Sequence, residues 1–351
     1  MPDEDPIALA DLAKKLKILS ELTTAEKHPN VNALWELAKD IDFIKLNLKF
    51  YGYDLARRLA EALPPRPNLK AHKVSLPWKP STQSDLSSDW AAYWTRELKV
   101  ALVFHRKLWE LAYVLQVLHN HDLIRPGMRG IGFGCGNEAI PSYLASRGVN
   151  VTITDIPPED QASKGWASSA QHAASLESCF FPNIVDKEIF EARAQLVYVD
   201  MNNIPRKLNE YDFCWSICAL EHLGSIKKGM DFVVNSLDTL KQGGVAVHTT
   251  EFNFYDDNRT IDNWGTVFPQ KNDFLELGSR LKAEGHIVPN LDFDIGRGQL
   301  DRFIDLPPFS FQVNEAARAL WVYEDHIKVA VDGIATTCYG LSVKKRSEPA
   351  E

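Results

Sequence analysis

The sequence lacks an apolar run long enough to cross a bilayer, so no stretch of it reads as a transmembrane helix. Its first residues are acidic and show no basic-then-apolar pattern of a secretory signal. A soluble, cytoplasmic protein without a membrane partner is expected. Cysteine is scarce and odd in number: Cys135, Cys179, Cys214, Cys218 and Cys338, with no metal-like pairing. Cys214 and Cys218 fall in an apolar run, so buried, reduced thiols are expected. The chain also lacks a basic excess. Its 39 Lys+Arg against 47 Asp+Glu give a formal net charge of −8. Non-specific nucleic-acid binding needs a basic surface that displaces phosphate counterions, so a nucleic-acid partner is not expected. No internal repeat is visible.

What is present is an ordinary globular composition over 351 residues, 45% hydrophobic and 25% charged. That is enough chain for one large domain or two smaller ones. Residues 7 to 63 and 89 to 118 carry apolar residues at helical spacing (Leu34, Leu37, Ile41, Ile44 and Leu48, for example). Pro64, Pro65 and Pro67 interrupt them. Residues 1–120 are therefore expected to form a helical N-terminal cap, a packing or dimerisation element, or a wall of the site through Trp90 and Trp94. Beyond it, short apolar runs alternate with helical stretches. Strands are expected at Val149–Ile153, Gln195–Val199, Tyr211–Ile217, Val245–Thr249, His286–Phe293 and Ile334–Val343, after a first strand near Gly130. This pattern implies an α/β fold: a seven-stranded, mostly parallel, Rossmann-like sheet with helices on both faces.

The most informative stretch runs from Ile124 to Asp155. A short strand enters a glycine ladder at Gly130, Gly132, Gly134 and Gly136, a helix follows, and a second strand ends on Asp155. Glycines let backbone approach a ligand closely, and the next helix start favours an anionic group. A carboxylate 19 residues beyond Gly136 is placed to accept from ribose hydroxyls. A nucleoside-bearing cofactor is implied, and two classes compete. Gly134-x-Gly136-x-x-Ala139 with Asp155 satisfies the dinucleotide fingerprint in its Ala-ended form, which points to an NAD-dependent oxidoreductase.

The same residues, with more of the chain, resemble class I S-adenosylmethionine (SAM)-dependent methyltransferases from Ile124 to Val343. The family's first motif is acidic-x-Gly-x-Gly-x-Gly. Gly134 and Gly136 match it, Gly132 replaces the acidic residue, and Glu138 replaces the last glycine. The missing acidic residue means that another group or water must receive the methionine ammonium. Asp155 and Ile156 match the end of the second strand, implying a ribose contact. Asp200 and Met201 match the end of the third, implying contacts to the adenine amino group and ring. Ser216 and Ile217 close the fourth strand, Leu220-Glu221-His222 matches the signature after it, and Lys241-Gln242-Gly243-Gly244 matches the turn before the fifth. The resemblance thus implies Gly132, Gly134, Gly136, Asp155, Ile156, Asp200, Met201, Ser216 and Ile217 around SAM. It sets a SAM-dependent methyltransferase domain at 121–346, with an insertion at 295–330 expected to bind the acceptor.

Methyl transfer demands chiefly that acceptor and methyl be held in near-attack geometry. A hydroxyl acceptor must also lose a proton, and His222, His248 and Glu251 lie at strand ends where a base belongs. O-methylation of a polar small-molecule or saccharide-like acceptor is the expectation, N-methylation of a secondary metabolite the nearest alternative. Glu221, His222 and Glu251 also resemble the metal set of small-RNA terminal 2′-O-methyltransferases, except that Cys218 stands where those carry a further glutamate. A divalent metal on Glu221, His222 and Glu251 is the alternative to a metal-free site. Gly165-Trp166 and Gln171-His172 are placed to cover the adenosine.

Overall fold

The computed structural model describes residues 40–159, 172–255, 259–309 and 324–347, with Lys17, His28 and Gln312. The chain divides into two compact units, Met1–Tyr51 and Gly52–Glu351. Among the described residues no helix is long and apolar enough to cross a membrane.

The elements follow in order. Helix α1 (Ile41–Glu61) precedes a two-residue strand β1 (Lys79–Pro80), then α2 (Gln83–Leu86), α3 (Asp89–Glu97) and α4 (Arg106–Asn120). The α/β body comprises β2 (Arg129–Phe133), α5 (Ile140–Ser146), β3 (Asn150–Asp155), α6 (Lys187–Arg193), β4 (Ala194–Tyr198), β5 (Tyr211–Ile217), α7 (Ile226–Ser236) and β6 (Leu240–Asn253). Helix α8 (Lys271–Ala283), β7 (Ile304–Asp305), β8 (Lys328–Val331) and β9 (Ile334–Lys344) complete it.

Among the described residues nine strands form one sheet, ordered β4-β3-β2-β5-β6-β9-β8-β7, with β1 paired to β9. The five central strands from β4 to β6 are mutually parallel, and β9 runs antiparallel to β6, β8 and β1. The α/β, mostly parallel expectation holds, with nine strands where seven were expected. The short β1, β7 and β8 carry too little pattern to be read. The expected strand at His286–Phe293 is absent: this extended segment makes only two isolated bridges, Ile287 to Lys344 and Leu291 to Trp78. The helical pattern from 89 to 118 breaks at Leu98–His105, where Lys99 takes φ 58° and His105 caps α4 through its Nδ1.

The sheet is covered on both faces, so its strands read as near-continuous apolar runs. Alternation assigns the faces. Phe213, Trp215, Val245 and Val247 pack with Trp94, Trp109 and Leu115 of α3 and α4. Ile131, Phe133, Cys214 and Ala246 pack with Phe232 of α7 and Phe274 of α8. Gly130 and Gly132 of β2 sit opposite Phe213 and Trp215 in register. A Cβ at Gly132 would lie 2.4 Å from the Trp215 indole, so glycine there is what lets the indole lie across β2.

Candidate active site

A cavity of about 440 Å³ opens at the carboxyl ends of β2, β3, β4 and β5, the crevice where open α/β sheets take their ligands. The loop leaving β2 forms its floor. Gly134 and Gly136 adopt φ of 61° and 51°, in the left-handed region that glycine adopts without strain. A Cβ at Gly134 would come within 2.8 Å of the Ala219 Cβ, so the position also needs glycine for space.

Asp155 ends β3 and is nearly buried on the cavity wall. Its carboxylate accepts from Gly136 N at 3.0 Å, Ala173 N at 2.9 Å and Ile156 N at 2.8 Å. The carboxylate thus ties the glycine loop to the end of β3. Two oxygens offer about four acceptor sites, so capacity remains for a ligand hydroxyl. His172 donates from Nε2 to the Ile156 carbonyl at 2.7 Å and braces the same corner. Gly165, Trp166 and Gln171, expected beside it as a cover, lie outside the described residues.

Asp200, just past β4, is exposed and accepts from Asn202 N at 2.9 Å. Met201 is buried and puts its Sδ close to Gly134. Ile156, Ile217, Cys218 and Ala219 supply further wall. Of the expected cofactor residues, Gly134, Gly136, Asp155, Ile156, Asp200, Met201 and Ile217 line one cavity. Gly132 and Ser216 do not; both lie within the sheet.

The three expected bases separate. His222, in a 3-10 turn after β5, lines the cavity. Its Nδ1 donates to the Gly265 carbonyl at 3.1 Å, with Thr266 Oγ1 3.2 Å from the same nitrogen. His248 is fully buried between two hydroxyls, Ser216 Oγ at 2.8 Å from Nδ1 and Ser236 Oγ at 3.1 Å from Nε2. Burial lowers its pKa to about 3, so it stays neutral. Glu251 is buried on the other face of β6, paired with Arg106 and accepting from Thr336 Oγ1 at 2.8 Å. Burial pushes its carboxyl up, but the charges of Arg106 and Lys107 outweigh that and hold it below the usual range. Neither His248 nor Glu251 reaches the cavity wall.

Glu251 belongs to a largely buried polar cluster between α4 and β5, β6 and β9, which meets the cavity at Lys107 and Cys218. Glu110 accepts from Thr249 Oγ1 and from Cys338 Sγ at 2.9 Å, and Lys107 Nζ lies 3.2 Å away. Glu221 accepts from Thr250 Oγ1 at 3.1 Å, and burial raises its pKa. Cys218 Sγ and oxygens of Glu221 and Glu251 lie within 4.8 Å of one another. His222 is not among them, so the trio Glu221, His222 and Glu251 is not assembled. The Arg106 guanidinium already neutralises Glu251 where a cation would sit.

Sequence reasoning named Trp90 and Trp94 for a wall from residues 1–120 and missed the α4 residues that line the cavity. Lys107 and Leu111, one helical turn apart, line it together with Val100. Trp90 and Trp94 are buried away from it, Trp94 Nε1 donating to Gln116 Oε1 at 2.8 Å. Within 295–330, Asp301 accepts from Gln83 N and Gly298 N, and His326 pairs with Asp305 at 2.8 Å. Neither residue, nor Arg297 or Arg302, lines the cavity; Trp321 and Tyr323 lie outside the described residues.

No family model matches the chain, and no curated protein matches it. Many solved structures match it. The [4+2]-cyclase SpnF is 15% identical, with 77% of this chain and 98% of that one covered at a TM-score of 0.42. A SAM-dependent methyltransferase from Mesorhizobium loti is 14% identical over 63% of this chain and 92% of its own, TM-score 0.36. An O-methyltransferase from a trans-AT polyketide synthase of Brevibacillus brevis, in complex with S-adenosyl-L-homocysteine, is 14% identical over 62% and 67%, TM-score 0.35. At such likeness the functional reading rests on the cavity itself.

Proposed function

We propose that the cavity binds S-adenosylmethionine and that the protein transfers its methyl group to a hydroxyl of a polar small-molecule or saccharide-like acceptor. One observation carries the reading. Four separate strand ends bring Gly134 and Gly136, Asp155 and Ile156, Asp200 and Met201, and Ile217 to one cavity of about 440 Å³. A buried carboxylate with spare acceptor capacity suits ribose hydroxyls. An exposed carboxylate beside a buried thioether suits an exocyclic amine and the edge of a purine.

When bound, the cofactor supplies an electrophilic methyl carbon. Displacement at that carbon is in line, so the task of the chain is to orient two ligands and keep water out. Ile217, Ala219, Leu223 and Phe181 provide apolar wall for this. His222 presents the one imidazole on that wall among the described residues. With Nδ1 donating to Gly265, its Nε2 accepts the acceptor's proton.

Titration calorimetry of the purified protein with S-adenosylhomocysteine and with NADH tests the assignment. Saturable binding of the first and none of the second is expected. Binding of NADH alone would make the protein a dinucleotide enzyme.

A further inference from the structure

The glycine loop departs from the acidic-x-Gly-x-Gly-x-Gly pattern in two places, and the structure links them. At the first, an acidic side chain has no room: a Cβ on Gly132 would lie 2.4 Å from both Trp215 Cζ2 and Cys135 Sγ. Gly132 and Trp215 are register partners on β2 and β5, and the indole fills the space such a side chain would need. At the second, the loop carries Glu138, which lines the cavity. The indole Nε1 of the same Trp215 is directed at Glu138 Oε2, 3.4 Å away. One tryptophan thus excludes a carboxylate at 132 and steadies one at 138.

Resting on the SAM assignment above, we propose that Glu138 receives the α-ammonium of the cofactor's methionine portion. The cavity holds three carboxylates among its described lining residues: Asp155, Asp200 and Glu138. The first two serve the nucleoside, which leaves Glu138 for the cationic end. Its surroundings suit a group awaiting a cation. Burial holds its carboxyl well above the usual range, opposed by the Trp215 hydrogen bond. Glu110 and Lys107 of α4, Asp155 of β3, and the Cys135 and Cys179 thiols face it. An ammonium in the cavity favours the ionised form, so affinity for an amino-acid-bearing ligand rises with pH through the range in which Glu138 titrates.

Calorimetry with two ligands on wild type and Glu138→Gln tests this. The variant is isosteric and keeps an acceptor for the indole. S-adenosylhomocysteine carries the ammonium; 5′-methylthioadenosine keeps the nucleoside and sulfur but has no amino acid. The expected result is a roughly tenfold or larger loss for S-adenosylhomocysteine, as for removal of a charge-assisted hydrogen bond. Affinity for 5′-methylthioadenosine stays unchanged, and the pH dependence seen in wild type disappears. Wild-type affinity of Glu138→Gln for S-adenosylhomocysteine, or equal losses for both ligands, would overturn the assignment of Glu138. Failure of wild type to bind either ligand would instead overturn the cofactor assignment beneath it.

Discussion

Two neighbouring regions of this sheet gather ionisable side chains, and they behave in opposite ways. The cavity at the ends of β2 to β5 presents Asp155, Asp200, Glu138 and His222 to a shared space. The cluster beneath α4 holds five ionisable groups, Arg106, Glu110, Glu221, Glu251 and Cys338, which pair mostly with one another and with strand hydroxyls, only Arg106 Nε being left buried without a partner among the described residues. Read from the sequence alone, neither set is marked as framework or as site. What separates function from framework is whether a group's partner is already in the chain.

Charge removal in the framework should therefore cost stability, and in the cavity, activity. Among the expected effects the largest is on rate. His222→Gln should lower kcat on a hydroxyl acceptor by about 10²–10⁴-fold, the usual contribution of a general base. Its S-adenosylhomocysteine affinity should stay near wild type in calorimetry. An unchanged kcat would remove His222 as the base. Next is Arg106→Met, which strands Glu251 without its partner. Breaking a buried ion pair costs about 3–5 kcal/mol, to be read from urea denaturation. A stability near wild type would show the cluster to be less self-contained than its contacts indicate.

A smaller effect is tied to pH. His248 has its folded pKa lowered to about 3, while an unfolded histidine titrates near 6.5. Between those values the unfolded chain binds a proton that the native chain does not, so stability rises with pH there and is lost as pH falls. The loss attributable to His248 should reach about 2 kcal/mol by pH 5. Comparing pH-dependent denaturation of wild type and His248→Gln checks this. Equal slopes below pH 6.5 would mean that His248 is not held neutral.

Much of this was legible beforehand, for identifiable reasons. β5 is a continuous apolar run and emerges with the expected bounds, Tyr211–Ile217. Gly134, Gly136, Asp155 and Asp200 converge because parallel strands place successive carboxyl ends along one edge. The misreadings are equally physical. Along β6 a period of two sends His248 toward Ser236 of α7 and Glu251 toward Arg106 of α4, a distinction that chain position near a strand end does not reveal. His286–Phe293 has strand-like composition, but a segment needs a neighbour with free hydrogen-bonding groups, and it finds only isolated bridges. Which residues of 89–118 reach the cavity was hidden because the break at Leu98–His105 carries no glycine or proline, its turn resting instead on Lys99 at φ 58°. Whether Glu138 could replace an acidic residue at 132 depended on where Trp215 points, and no spacing rule states that.

The most direct test of the central claim is a crystal structure with S-adenosylhomocysteine bound. The ribose hydroxyls should lie within hydrogen-bond distance of Asp155, and the adenine amino group within reach of Asp200, with the ring edge against Met201. A nucleoside lodged elsewhere, or either carboxylate turned away from it, would contradict the assignment.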